Sequence, residues 1–172
     1  MKRRLVTAAG VAGLAAMGFL GWHLISPLFI SNRVVEALPA GLVISPAAGA
    51  GTSQLVTGAA TIKKGNLKDA DSFHKGSGEV AVYRLPDGKR LLRLESINVT
   101  NGPDLHVYLS THPNPATSAE VHHTGYAARG KLKANQGSQN YDIPAGVDLG
   151  TVRSAVIYCQ PFSVVFSIAA LK

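Results

Sequence analysis

The chain contains one cysteine, Cys159, at the end of its strongest strand pattern, Ser154–Phe162. A disulfide within the molecule needs two cysteines, so this thiol is a packed core residue, half of an intermolecular bridge, or a chemically active group. Packing is the simplest interpretation of the residue alone, because free cysteine is among the most buried residue types. No Cys-x-x-Cys motif occurs. An intramolecular dithiol mechanism is therefore excluded.

Histidines are the other candidate ligands. A blue-type copper site uses Cys, two His and a weak axial Met, and neither His nor Met follows Cys159. Nor is there a Cys-x-x-Cys-His motif for covalent haem attachment. For His74 and His106 a hydrogen-bonded structural role is favoured, and transient metal binding through these two and Cys159 is a weaker alternative. The six histidines are His23, His74, His106, His112, His122 and His123.

Composition limits the class of protein. The 172 residues, 46% of them hydrophobic and 6% aromatic, suffice for one domain whose core is mainly aliphatic. The net charge of +7 includes three basic residues at the extreme N-terminus, Lys2, Arg3 and Arg4. The remaining basic residues are scattered and are not interleaved with aromatics. We therefore expect no nucleic-acid partner.

The N-terminus has the pattern of a membrane anchor. Leu5–Ile30 is an uncharged run of 26 residues, and about 20 suffice to cross a bilayer as a helix. Three basic residues precede the run and only Arg33 follows closely, which predicts a cytoplasmic N-terminus. A cleaved signal peptide is the alternative, but its apolar core is about 7–15 residues long. Residues 1–30 are thus predicted to be a transmembrane signal anchor of a single-pass cell-membrane protein, with the rest extracytoplasmic.

The rest of the chain divides into a linker and a domain. Residues 31–61 are small, rich in Pro, Gly and Ser, and nearly uncharged, which is typical of a flexible linker. Gln54–Ile62, which runs from the end of the linker into the domain, is a candidate strand. Residues 62–172 are predicted to form the folded domain.

Short apolar runs alternate with turn residues throughout that domain, and no stretch keeps a helical period. Glu79–Leu85 and Lys89–Val99 flank Pro86-Asp-Gly88 and predict a hairpin. His112–Glu120 is predicted to be a loop. This pattern predicts an all-β fold, an antiparallel β-sandwich or barrel-like sandwich. The further strands expected are Leu105–Leu109, Gly130–Lys133, Ser138–Ile143, Ala155–Cys159 and Ser163–Leu171.

Strand alternation orients the cysteine. Ala155, Ile157 and Cys159 share one small, apolar face, so the thiol lies in or under the core. Pro161 indicates an edge strand or a bend directly afterwards, which leaves partial solvent access open. An apolar environment raises the pKa of a thiol. This counts against a fast nucleophile and favours a ligand or radical role.

Four segments carry a resemblance to a known family through their order and spacing. They are Phe73-His74 with Gly76-Ser-Gly78, Asn101–Ser110, Gly137–Pro144 and Val156–Phe166. Together, over roughly Ile62 to Leu171, they resemble the DM13 domain, an all-β module of an electron-transfer or redox system. Pro27–Ile30 and Leu38-Pro39 also resemble the membrane-proximal leader of bacterial members.

The resemblance implies a role for the thiol. The family's characteristic cysteine maps onto Cys159 and is suggested to act as a bare thiol or as ligand to a prosthetic group such as haem. It implies redox chemistry centred on Cys159 with a separate redox partner protein. Asp104, His106 and Tyr108 are candidate neighbours of that site. The alternative is a non-catalytic adhesion or ligand-binding module in which Cys159 only packs, so enzymatic activity is left open.

Overall fold

A computed structural model describes residues 18–19, 31–39, 43–45, 54–56, 59–123 and 125–172. Nearly all of the predicted anchor, residues 1–30, lies outside these ranges, so the transmembrane helix stays a prediction. Within the described ranges, no helix has the length and apolar character needed to cross a membrane.

Strands dominate the described part of the chain, and one short helix interrupts them. In chain order the elements are β1 (Arg33–Val35), β2 (Val43–Ser45), β3 (Gln54–Val56), β4 (Ala60–Asn66), β5 (Lys68–Asp69), β6 (Gly76–Arg84), β7 (Arg90–Val99), β8 (Leu105–Ser110), α1 (Ser118–His123), β9 (Tyr126–Lys131), β10 (Gln136–Ile143), β11 (Ser154–Cys159) and β12 (Val164–Ala170).

The strands form two five-stranded sheets that share one core. The first sheet has the order β1-β10-β7-β6-β4 and the second the order β5-β12-β11-β8-β9, while β2 and β3 pair separately. All neighbours are antiparallel except β1, which runs parallel to β10. The prediction of an all-β, mostly antiparallel sandwich-like fold is therefore confirmed.

The β6–β7 hairpin forms where the Pro86-Asp-Gly88 turn predicts it. Alternate residues such as Val80, Val82, Leu92 and Leu94 are fully buried between the sheets. Burying each of these side chains contributes about 1.5–3 kcal/mol. The hairpin is thus the best-anchored part of the first sheet.

Strand β11 is the centre of the second sheet, between β12 and β8. Ala155, Ile157 and Cys159 belong to the core between the sheets, and Val156 and Tyr158 face the opposite side. This is the face assignment that alternation predicts. Because β11 is an interior strand, the proline after it marks a bend and not a sheet edge.

A helix begins within the predicted loop His112–Glu120 and extends three residues beyond it. Residues 118–123 form α1, and Val121 is fully buried against the outer face of the second sheet. Glu120 accepts hydrogen bonds from the backbone N–H groups of Ala116 and Thr117. The helix is too short for an apolar period to be recognised, and its burial against the sheet stabilises it.

Part of the predicted linker, residues 31–61, is attached to the domain. Strand β1 pairs with β10, and the carboxylate of Glu36 accepts a hydrogen bond from the backbone of Asn140 at 2.6 Å. Arg93, only 4% exposed, donates to the Glu36 carbonyl at 2.8 Å and pairs with Glu95 at 2.6 Å. These contacts satisfy a buried guanidinium, which would otherwise be costly. The domain boundary at residue 62 stays a prediction.

Candidate functional site

Cys159 is the last residue of β11 and is 0% exposed. It pairs with Leu105 on β8 and with Val164 on β12. Its Sγ donates a hydrogen bond to the carbonyl oxygen of Pro103 at 3.1 Å. The thiol is therefore enclosed by the core and hydrogen-bonded to the Asn101-Gly-Pro-Asp104 turn.

The environment keeps the thiol protonated. Burial raises the pKa of Cys159, the negative charge of Asp104 raises it further, and a hydrogen bond from the Phe162 backbone lowers it. Only the thiolate is a good nucleophile or exchange partner. The site therefore disfavours rapid thiol–disulfide exchange in this conformation, which is the direction that the apolar strand face predicts.

Asp104 closes the turn beside the thiol. Its backbone adopts a positive φ of 50°, which Asp tolerates better than most residues. Its carboxylate lies 2.7 Å from Nζ of Lys131 and 3.2 Å from Nε2 of His106. The hydrogen bond from Lys131, followed by that from His106, lowers the pKa of Asp104. Asp104 is therefore an anionic residue held in place at the end of the turn that precedes β8, directly after the Pro103 that accepts the thiol hydrogen bond.

The predicted neighbours of Cys159 do not line the inner face of the sheet, on which the thiol lies. Asp104 and His106 are in contact, as described above. Tyr108 lies on the outer face of β8, where its ring stacks on Tyr158 with centroids 5.2 Å apart. The Cys159 side chain is on the inner face. The structure thus brings Asp104 and His106 together at the start of β8. The rings of His106 and Tyr108 are 6.5 Å apart on the outer face, so the sheet itself separates both from the thiol.

The outer face carries an aromatic cluster that sequence reasoning missed. The rings of Tyr108 and His122 contact each other, and each also contacts Tyr126 and Tyr158, with His122 and Tyr126 centroids 4.8 Å apart. The Tyr158 hydroxyl lies 2.6 Å from the Ser118 hydroxyl. Alternation predicts that Tyr108 and Tyr158 face outward, but only the pairing of β8 with β11 and β9 places the rings side by side.

His74 and His106 are engaged in structural contacts. Nδ1 of His74 lies 2.7 Å from the carboxylate of Asp71, and its ring packs 4.2 Å from that of Phe166. Hydrogen bonds from the His74 side chain and from two backbone N–H groups lower the pKa of Asp71 to about 2. Across the described residues, no three or more His, Cys, Asp or Glu side chains are grouped to hold a metal ion. The described residues thus give no support to a metal site formed by His74, His106 and Cys159.

A haem ligated by Cys159 does not fit these residues. The thiol is enclosed and already donates a hydrogen bond to the Pro103 carbonyl. A groove of about 320 Å³ on the other side of the turn is lined by Pro103, Asp104 and Lys131, but not by Cys159. An iron ligand needs a sulfur with an open approach, which this packing does not provide.

Gly102 is required for space. A Cβ at this position would lie 2.6 Å from the ring of Phe166 and 3.0 Å from the Leu105 side chain. We expect Gly102→Val to lower the free energy of unfolding by about 1–3 kcal/mol through overpacking. Denaturant unfolding of the full chain in detergent measures the change. Gly146→Val is the control, because nothing lies within 4 Å of a Cβ there. Equal stability of the two variants would contradict the packing argument.

Residues 67–171, from β5 to the end of β12, match the family described as electron transfer DM13. No match was found among curated proteins or among solved structures. The matched region covers more than half of the chain and includes both the Asn101-Gly-Pro-Asp104 turn and Cys159. The chain therefore belongs to the DM13 family of electron-transfer domains.

Proposed function

We propose that this protein is a membrane-anchored, extracytoplasmic electron-transfer module whose redox centre is Cys159. The family supports the electron-transfer part of the proposal. The observation that carries the assignment to Cys159 is the 3.1 Å hydrogen bond from its Sγ to Pro103. This bond joins the only cysteine of the chain to the Asn101-Gly-Pro-Asp104 turn.

Burial and the raised pKa of Cys159 disfavour thiol exchange, and one-electron oxidation is the redox step that we propose in its place. Exchange requires a thiolate that another sulfur can approach in line. One-electron oxidation requires only that an electron leave the sulfur and that the thiol proton be released. The product on the chain is then a thiyl radical, the electron passes to the redox centre of a partner protein, and the proton passes to solvent.

The partner approaches over the turn that follows the thiol. Gln160, Pro161 and Phe162 are all exposed, although Cys159 directly before them is fully buried. The buried Cys159 is therefore directly followed in the chain by an exposed turn. A docked partner therefore comes close to Cys159 without unfolding of the sandwich.

The redox part is tested by voltammetry of the full chain in detergent. A one-electron wave that is present in the wild type and lost in Cys159→Ser supports the proposal. A non-catalytic binding or adhesion module is the second candidate, because a cysteine that is 0% exposed also suits a purely packing role. That candidate predicts a wild-type protein without any wave.

The anchor is tested separately. We expect the leader to be retained, because the uncharged run of 26 residues is longer than the apolar core of a cleaved signal peptide. Mass spectrometry of the membrane-extracted protein checks this. A mature N-terminus anywhere between Ile25 and Gly51 would contradict the anchor and indicate a secreted protein.

A further inference from the structure

Three loops meet at the end of the sandwich that holds Cys159. They are residues 70–75 before β6, residues 100–104 before β8, and residues 160–163 after β11. The hydroxyl of Thr100 accepts a hydrogen bond from the Lys75 backbone at 2.8 Å. The backbone N–H of Gln160 points to the Asp104 carbonyl at 3.4 Å. We call these three loops the thiol end of the domain.

Two phenylalanines are exposed at the thiol end. Phe73 is 80% exposed on the first loop and Phe162 is 67% exposed on the third. The loop of Phe73 is ordered, because the Asp71 carboxylate accepts hydrogen bonds from the backbone N–H groups of Phe73 and His74, both at 2.7 Å. Both rings are at the same end of the domain, and moving each of them out of water would be favourable in proportion to its apolar area.

The N-terminal segment joins the domain at the same end. The side-chain amide of Asn101 lies 3.5 Å from the Ser31 hydroxyl. The backbone N–H of Asn32 donates to the side chain of Asn135 at 2.8 Å. Ser31 directly follows the uncharged Leu5–Ile30 run in the sequence. The point at which the chain leaves the predicted anchor is therefore next to the Asn101-Gly-Pro-Asp104 turn.

Chain length limits how far the thiol end can be from the bilayer. A helix of about 20 residues starting at Leu5 ends near Ile25. The remaining residues to Ser31 span at most about 20 Å when fully extended. Three of them, Leu28, Phe29 and Ile30, are large apolar residues that favour the interface over water. The opposite end of the sandwich is about 30 Å farther along strands as long as β6 and β7.

We propose that the thiol end rests on the lipid surface of the membrane, with Phe73 and Phe162 inserted into the interface. This rests on the anchor of the proposed function. Insertion removes two exposed aromatic rings from water, and the short connection from Ile25 to Ser31 holds them at that depth. A redox partner can then approach Cys159 only within or along the membrane. The partner must therefore itself be confined to the membrane.

The test uses the full chain in nanodiscs of phosphatidylcholine, with and without brominated acyl chains that quench tryptophan fluorescence. Trp22→Phe removes the native tryptophan, and Phe73→Trp or Phe162→Trp then introduces one probe at the thiol end. Gly146→Trp is the matched control, since Gly146 is exposed beyond the opposite end of β10. We expect both thiol-end probes to lose about half or more of their emission in brominated discs, and the control probe to lose almost none.

The outcomes separate the two proposals. If the chain stays in the discs and no probe is quenched, the thiol end does not rest on lipid, although the anchor stands. Equal quenching of the control probe also overturns the orientation. If the chain does not stay in the discs, the anchor fails and the lipid contact fails with it. A redox wave from Cys159 is independent of all three results.

Discussion

Cys159→Ser is expected to fold normally and to lose all electron transfer. The serine hydroxyl can donate to the Pro103 carbonyl that now accepts the thiol hydrogen bond at 3.1 Å. The substitution therefore leaves no buried polar group unpaired, and we expect it to cost only about 1 kcal/mol of unfolding free energy. A hydroxyl has no accessible one-electron oxidation under these conditions. Voltammetry and denaturant unfolding on the same sample separate the two effects.

Two control variants refine this experiment. Cys159→Ala also removes the sulfur but leaves the Pro103 carbonyl without its partner, so it should be less stable than Cys159→Ser. Tyr158→Phe removes a phenol from the opposite face of the same strand. Because that phenol is not the redox centre proposed here, the wave should persist. A folded Cys159→Ser protein with a normal wave would end the assignment to Cys159 and favour the aromatic cluster as the redox centre.

Gly78→Ala is expected to cause a large loss of stability, because the position combines a positive φ with a close backbone contact. Gly78 has a φ of 118°, at the irregularity in the pairing of β6 with β7. A Cβ there would lie 2.6 Å from Cα of Ile97 and 2.9 Å from the Glu95 carbonyl. These are backbone atoms and cannot rotate away. We expect backbone strain and the clash together to cost about 3 kcal/mol or more.

Gly88→Ala isolates the strain from the clash. Gly88 has a φ of 82° in the β6–β7 turn, with nothing within 4 Å of a Cβ. We expect this variant to lose only about 1 kcal/mol. Denaturant midpoints of the two variants, measured in the same detergent, give the comparison. A Gly78→Ala protein as stable as Gly88→Ala would mean that the hairpin relaxes around the new methyl group.

Much of the domain follows from local pattern. The β6–β7 hairpin is predictable because its turn chemistry and its alternating apolar residues agree. The inward direction of Cys159 is predictable because side chains alternate along any strand. Helix α1 is not predictable in this way, because a six-residue helix depends on burying Val121 against a sheet formed elsewhere in the chain.

The surroundings of the thiol depend on pairing between distant segments. Cys159 meets Pro103 across 56 residues, and Glu36 meets Asn140 across 104. Neither contact has a local signal, since spacing along the chain carries no information about which strands pair. The separation of Tyr108 from Cys159 has the same origin, because the two residues lie on different strands whose faces are aligned only by register.

The sequence by itself determined that this protein has an all-β domain of the DM13 family, with a single cysteine that faces inward and an uncharged N-terminal run before it. These features depend on residue type, two-residue periodicity and motif order, which are properties of the chain alone. The tertiary structure decided that the thiol donates a hydrogen bond to Pro103 and that His106 pairs with Asp104. It also placed Phe73 and Phe162 at the same end of the domain as Ser31. Those contacts are set by strand register and sheet order, which emerge only when distant segments bury their apolar faces together.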